Sequence, residues 1–212
     1  MSHSRDGGNL STLIKTIMQL NEIVEVLSGF YVRPSSYWDV SYLQAKDFDE
    51  FGDLKWKLVP ELSSKEVQER QYLQHLDVLF ASKGTRNFAT VYREKYWKCV
   101  ASSTFLILRI PKEKAIHVDI KPEYLAILLS EASKSDYFKN NASWAYIQTI
   151  SKAVLENYEV EIPPLEKQEK VIEFYELYKN QIKLYDKLKE KKEIFTNQLI
   201  LKLNQLNNVK SN

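Results

Sequence analysis

The chain predicts a mixed α+β fold: a body built on a twisted, mostly antiparallel sheet, followed by one long C-terminal helix. Three observations lead there. Short alternating runs that read as strands outnumber helical runs between Leu10 and Ile162, without the regular strand–helix alternation of a doubly wound sheet. The last of these runs, with Tyr158, Val160 and Ile162 on one side, ends in Pro163-Pro164. No Gly or Pro interrupts the roughly 40 residues that follow, so a helix of about 60 Å fits there at 1.5 Å per residue. Residues 1–162 are therefore read as the body, with 1–9 a loose polar arm or tag remnant. Residues 163–212 form the helix and a short disordered tail.

In chain order, Leu10, Leu13, Ile14, Ile17, Leu20 and Val24 recur at helical spacing, with Ser11 as cap, and Ser28-Gly29 breaks the pattern. Trp38, Val40 and Tyr42 alternate with polar residues, as do Leu54, Trp56 and Leu58, which predicts two half-buried strands. Ser63-Ser64-Lys65-Glu66 has capping-box spacing and predicts a short helix. Further strands are expected at Leu76–Ala81, Lys98–Ala101, Phe105–Ile110 and Ile116–Ile120, with a turn at Gly84. Pro122 opens a helix carrying Leu125, Ile127, Leu128 and Leu129. Asn140-Asn141 reads as a loop, and Ser151 caps a short helix through Leu155. Pro164 suits the first helical position, and Glu166 and Glu169 suit the positive end of the long helix.

Along that helix Val171, Tyr175, Tyr178, Ile182 and Tyr185 follow a 4-3-4-3 spacing, and Leu188, Phe195 and Leu199 continue it less regularly. The pattern is a coiled-coil seam of imperfect phase, and its length favours pairing with a partner helix over folding back on the body. Lysines 179, 183, 187, 189, 191 and 192 read as its solvated face.

Composition excludes several classes. With 44% hydrophobic and 12% aromatic residues the chain has ample material for a core. No apolar run approaches a membrane span, and a cytoplasmic protein is expected. One cysteine, Cys99, forms no internal disulfide and no zinc cluster. His3, His75 and His117 are scattered, and no Gly-rich phosphate loop is present. Neither a catalytic triad, a metal centre nor a nucleotide fingerprint emerges. The net charge of +2 lacks the basic excess of a nonspecific nucleic-acid binder, so local distribution matters more. Lys83, Arg86, Arg93, Lys95 and Lys98 form one basic cluster, with only Glu94 against them.

Four stretches, in order, carry a family likeness. Gln19–Phe30 resembles the lead-in to a target recognition domain of type I restriction–modification specificity subunits, and Tyr42–Phe48 is similar to the strand and turn that follow there. Leu76–Thr85 resembles the family's Gly-Asp strand and Gly-containing loop, with His75-Leu76 standing where the family has Gly before Asp77. Ile147–Ile150 followed by Glu159–Gln168 resembles its isoleucine-rich approach, double proline and Leu-Glu-x-Gln helix start. The likeness covers about residues 19 to 205, and the unit occurs once where the family carries it twice.

The resemblance implies a non-catalytic DNA specificity subunit that directs a partner methyltransferase, with or without a restriction subunit, to a two-part site on double-stranded DNA. It implies no cofactor or metal of its own, the methyl donor belonging to the partner. It also implies a pairing of two long helices, as a homodimer or with another half-subunit, which would set the gap between half-sites. The loop Ser82, Lys83, Gly84, Thr85, Arg86 and Asn87 offers the side chains such readout needs. Arg86 suits a bidentate pair with guanine, Asn87 suits adenine, and Gly84 permits close backbone approach. Lys83 and Arg93 suit phosphates. Ser35, Ser36 and Tyr37 form a second candidate contact loop, and Trp144 and Tyr146 are read either as contacts or as core. The same loops also suit ordinary polar turns.

Two other classes stay open at the level of sequence. Asp77 with Asp119 and Lys121 loosely matches the Asp and Asp-x-Lys pattern of metal-dependent nucleases. A dimeric DNA-binding protein or scaffold with no methyltransferase partner would use the long helix alone.

Overall fold

The structure, a computed structural model, describes residues 16–32, 39–84, 86–94, 98–115, 118–142 and 149–209, with side chains to 202 on the last helix. Ser35, Ser36, Tyr37, Trp38, Thr85, Lys95, Trp144 and Tyr146 lie outside those residues, as do Leu10 to Ile14.

The elements in chain order are β1 (Thr16–Gln19), α1 (Leu20–Ile23), β2 (Glu25–Ser28), β3 (Val40–Leu43), β4 (Pro60–Leu62), β5 (Val78–Ala81), β6 (Ala89–Val91), β7 (Cys99–Ala101) and β8 (Phe105–Arg109). There follow α2 (Lys112–Ala115), α3 (Pro122–Ala132), α4 (Asp136–Asn141), α5 (Lys152–Glu156), β9 (Glu159–Ile162) and α6 (Leu165–Val209). The first compact unit runs to Ile172 and the second comprises Glu173–Asn212. The mixed fold with mostly antiparallel sheets and a long C-terminal helix is the one the sequence predicts. Among the described strands β3 and β7 alone pair in parallel, beside one isolated parallel bridge between Phe30 and Ser102.

The central sheet, in order β2-β8-β5-β6, is buried on both faces. Side chains alternate across a strand, so β5 and β8 serve two cores at once. Val78, Phe80, Leu106 and Leu108 meet Leu125 and Leu129 of α3 together with Val160 of β9. Leu79, Ala81, Phe105 and Ile107 face the other way, toward Phe48, Phe88 and Leu43. This two-sided burial explains why these strands read as continuous apolar runs. Phe105 stands edge-on to both Phe48 and Phe88, with ring centroids 5.8 and 6.0 Å away. β4-β3-β7 form a second sheet, and β1 pairs with β9 from Thr16↔Ile162 to Gln19↔Glu159.

Five expectations are corrected. Thr16–Gln19 is a strand, because pairing with β9 outweighs the helical spacing; only Leu20–Ile23 turns into a helix, where Leu20 and Ile23 are buried. Leu54–Leu58 is not a strand: Leu54 makes a single bridge to Phe48, and Trp56 is 53% exposed. Ser63–Glu66 gives one 3₁₀ turn, in which the Ser63 hydroxyl accepts from the Lys65 amide. Val118–Ile120 is irregular, its backbone taken up by α6, and Ile116 lies outside the described residues. Asn140 and Asn141 finish α4, where the Asn141 amide bonds the Tyr137 carbonyl. The short helix behind Ser151 forms as expected, with the Ser151 hydroxyl accepting from the Val154 amide.

Two polar fixtures hold this body. Asp77, 1% exposed, takes a two-pronged bond from Arg109, Nε to Oδ1 at 2.8 Å and Nη2 to Oδ2 at 2.7 Å. That bond holds the guanidinium above its usual pKa. The turn leading into Asp77 places Leu76 at φ 70°, the left-handed region that favours glycine. The family's Gly before Asp thus has a physical reason, and this chain carries leucine there at a cost of about 1–2 kcal/mol.

The second fixture is Gln168, which is fully buried. Its Oε1 accepts from the Lys121 amide at 2.8 Å, and its Nε2 donates to the carbonyls of Asp119 at 2.7 Å and Pro163 at 2.8 Å. The Gln of the Leu-Glu-x-Gln start therefore ties α6 to the segment that opens α3 and to the end of β9. Ile172, one turn further on, packs against the core beneath α3.

Leu76→Asn should match or exceed the parent in stability, whereas β-branched Leu76→Val should lose about 1–2 kcal/mol in urea unfolding. Equal loss in both would deny the strain. Gln168→Leu strands one buried amide and two carbonyls and should cost roughly 3 kcal/mol or more. Glu169→Ala removes only the exposed ion pair with Lys121 and should cost under about 1 kcal/mol. Comparable unfolding midpoints for the two would rule out Gln168 as the anchor.

Candidate nucleic-acid interface

The candidate loop leaves β5 and is braced at its root. Ser82 is buried; its amide donates to the Thr104 carbonyl at 2.9 Å, and its own carbonyl accepts from the Ile150 amide at 2.9 Å. Lys83 bridges Thr149 in antiparallel fashion. Thr149 and Ile150, at the end of the isoleucine-rich stretch, thus meet the root of the Gly-containing loop. Ser82 supports the loop from inside and does not face solvent.

Beyond that root the chain turns outward. The Lys83 side chain is exposed, and Gly84, at φ 129°, has nothing within 4 Å of the position a Cβ would take. This backbone can approach another molecule closely. Arg86 is exposed, donates Nη2 to the Phe48 carbonyl at 3.0 Å and sits 5.0 Å over the Phe88 ring. That stacking holds the guanidinium in place with its other donors toward solvent. The Asn87 Nδ2 donates to the Ala81 carbonyl at 2.7 Å, closing the loop on itself, and the Asn87 carbonyl accepts from the Ser133 hydroxyl. Reading adenine through both amide atoms would require Asn87 to share or release that bond. Arg93 pairs with Glu123 at 2.5 Å at the start of α3.

The Phe48 carbonyl that receives Arg86 ends the Tyr42–Phe48 strand and turn, and the chain continues from it to Leu58. Lys46, Lys55, Trp56 and Lys57 are exposed along this stretch. Trp56 had been read as a half-buried strand residue.

The remaining candidates for chemistry have other partners. Asp77 is bound to Arg109, and Lys121 pairs with Glu169. Asp119 is exposed, with its backbone carbonyl taken by Gln168. No group of three or more His, Cys, Asp or Glu side chains is placed to hold a metal among the described residues. Cys99 is buried, and desolvation pushes its thiol up to about 12, so it is no activated nucleophile at neutral pH. Its sulfur takes a hydrogen bond from Tyr92, whose own hydroxyl burial holds above the usual range. The His75 Nδ1 accepts from the Glu94 amide at 3.3 Å. No described helix is long and apolar enough to cross a membrane.

On α6, of the residues read as a seam, Tyr175 and Ile182 are half-buried, and Val171, Tyr178, Tyr185, Leu188, Phe195 and Leu199 are exposed. Lys179, read as solvated, is buried beside Glu176, 2.7 Å away.

Comparison with known proteins gives the family and supports the fold. The family model of the type I restriction modification DNA specificity domain matches residues 16–194. The chain belongs to that family, which is one of specificity and not catalysis. A search of curated proteins returned no match. A chain solved in work on complex assembly and conformational transition of the type I restriction–modification system superposes with a TM-score of 0.60 at 18% identity, over 92% of this chain and 46% of that one. The HsdS subunit from Thermoanaerobacter tengcongensis gives 0.55 at 18% identity, over 87% and 47%. The type I restriction–modification S subunit from M. genitalium gives 0.52 at 9% identity, over 82% and 41%. These likenesses establish the fold, and the chain spans less than half the length of each of the three.

Lys83→Ala should leave stability within about 0.5 kcal/mol of the parent and lower the salt slope of DNA binding by about 1. Asn87→Ala should instead lose about 1 kcal/mol of stability through the bond to Ala81. Urea titration and a salt series with labelled duplex check both. A destabilised Lys83→Ala with an unchanged slope would contradict the division of roles.

Proposed function

We propose that this chain reads a DNA sequence on behalf of a separate methyltransferase, and of a restriction subunit where one accompanies it. The observation that carries the reading is the loop Lys83 to Arg86. It is the outward turn of a braced strand pair, with an exposed lysine, an open glycine and a stacked arginine side by side, in a chain whose family is the type I DNA specificity domain. Lys83 pairs with phosphate and Arg86 offers a fork of donors to guanine in the major groove. Arg93, Thr85 and the loop Ser35, Ser36 and Tyr37 are kept as further contacts on the reading of the sequence alone. The chain performs no reaction and needs no cofactor; the methyl donor sits on the partner. Its place is the cytoplasm, with the DNA it reads.

Two copies, or this chain and another half-subunit, pair along α6. Exposed Tyr185, Leu188, Phe195 and Leu199 support that pairing, because a helix of 45 residues with so much bare apolar surface gains from a partner. The pair then reads a two-part site, and the length of α6, about 67 Å at roughly 1.5 Å per residue, sets the gap between the parts.

Selection from random duplex DNA should return two short conserved tracts separated by a fixed spacer, with the purified chain a dimer by light scattering. Leu188→Glu combined with Phe195→Glu should give monomers that retain at most one tract. A wild-type chain with no base preference would end this reading.

A further inference from the structure

The hairpin from Ala45 to Leu58 exposes three lysines, Lys46, Lys55 and Lys57, against one exposed acid, Glu50, and it is bonded to the Lys83–Arg86 loop. Its backbone is closed by the Lys55 amide on the Asp47 carbonyl at 2.9 Å and by the Asp49 amide on the Asp53 carbonyl at 2.8 Å. It is pinned to the central sheet where the Thr90 hydroxyl donates to the Gly52 carbonyl at 2.7 Å. Arg86 joins it to the loop through the Phe48 carbonyl.

The charges of this hairpin are sorted. Asp47 is 6% exposed, and its Oδ2 accepts from the Gln44 amide at 2.8 Å. The Asp49 Oδ1 accepts from the amides of Phe51 and Asp53, both at 2.9 Å. Asp53 is half-buried, and Glu50 stays exposed at the turn. Lys46, Lys55 and Lys57 all point to solvent, and between the last two stands Trp56, with the Lys55 ammonium 5.6 Å from its ring centroid. The Lys55 ammonium also bonds the Lys46 carbonyl at 3.0 Å, which gathers the cations along one edge. With the Asp47 and Asp49 carboxylates turned onto backbone amides, three lysines and Glu50 are the exposed charges around an exposed aromatic ring, a surface suited to meeting a polyanion. The closed backbone means that little ordering remains to be paid for on binding.

We propose that this hairpin is a second DNA-contacting arm, in which Lys46, Lys55 and Lys57 pair with duplex phosphates while Trp56 packs on the adjoining sugar. Its work is to position the duplex against the Lys83–Arg86 loop, and the choice of bases stays with that loop. The proposal rests on the DNA-reading function above.

The test uses the full chain and the duplex that wild type selects. Lys55→Ala with Lys57→Ala should reduce the salt slope by about 2 and weaken binding without changing the preferred bases. Trp56→Ala should weaken binding about fivefold or more, and Trp56→Phe should lose most of the tryptophan fluorescence change that DNA produces in wild type. Unchanged urea midpoints check that the variants fold. Removing two charges elsewhere, with Lys152→Ala and Lys170→Ala, should leave the slope as it was. If wild type binds with base preference and the hairpin variants match it in affinity and slope, this proposal falls and the reading function stands. If wild type binds without base preference and the hairpin variants still lower the slope, the arm stands and sequence reading falls. A chain that binds no DNA ends both.

Discussion

The side-chain amide of fully buried Gln168 meets three backbone groups on two stretches of chain, 119–121 and Pro163. Its carbonyl oxygen serves the residue before α3, and its nitrogen serves both Asp119 and the first of the two prolines. Only a side chain with one acceptor and two donors satisfies all three, which excludes Glu, Leu and Lys alike. The double proline delivers the residue to that point: β9 ends at Ile162, and the Pro164 carbonyl accepts from the Lys167 and Gln168 amides as the helix begins. From Lys121 the path runs into α3, whose Leu125 and Leu129 pack on Val78 and Phe80 of β5. β5 in turn leads to Ser82 and the outward loop. The Leu-Glu-x-Gln helix start and the outward loop are two ends of one packed series.

The sheet at the centre of that series is rigid because it is wet on neither face. Burying both sides of β5 and β8 leaves no tolerance for a register slip, since a one-residue shift would exchange the contents of two cores. Polar groups within it are matched: Asp77 by Arg109 and the Gln74 amide, and Ser130 by the backbone of Ala89. Leu76 is the exception in backbone geometry, the one non-glycine at positive φ among the described residues. Asp77 requires a sharp reversal just before it, and the ion pair it makes outweighs the strain. Gly29 meets a different constraint. A Cβ there would stand 2.1 Å from the Ser102 carbonyl, so the crossing of β2 past that loop admits no side chain.

Much of this was legible from residues. The apolar runs of β5, β7 and β8, the Pro-opened α3, the Ser151 cap and the unbroken final helix all followed from local rules. Some of what failed did so because partners distant in sequence decided the local structure. Thr16–Gln19 carries helical spacing but pairs with a strand more than 140 residues away, a partner no local pattern reveals. Leu54 to Leu58 alternates as a strand would, yet the Phe48–Leu54 turn and the flanking lysines send Trp56 to the surface. At the interface the residue types were readable and their assignments were not. Ser82 and Asn87 look like contact residues in sequence, while three-dimensional hydrogen bonding puts one inside the loop and uses the other to close it. The lysine-flanked Trp56 was in view all along, and only its exposure set it apart from core aromatics.

The division of labour that results is between a fixed body and a small set of outward cations. The body uses many of its polar side chains on its own backbone, while Lys83, Arg86, Lys46, Lys55 and Lys57 are exposed. All of this depends on the helix start being locked into the body. Amide hydrogen exchange at Lys121, whose N–H donates to the buried Gln168 oxygen, tests that lock most directly. The account predicts protection on the scale of the β5 amides, lost only with global unfolding. Exchange at Lys121 as fast as in an exposed loop would contradict it.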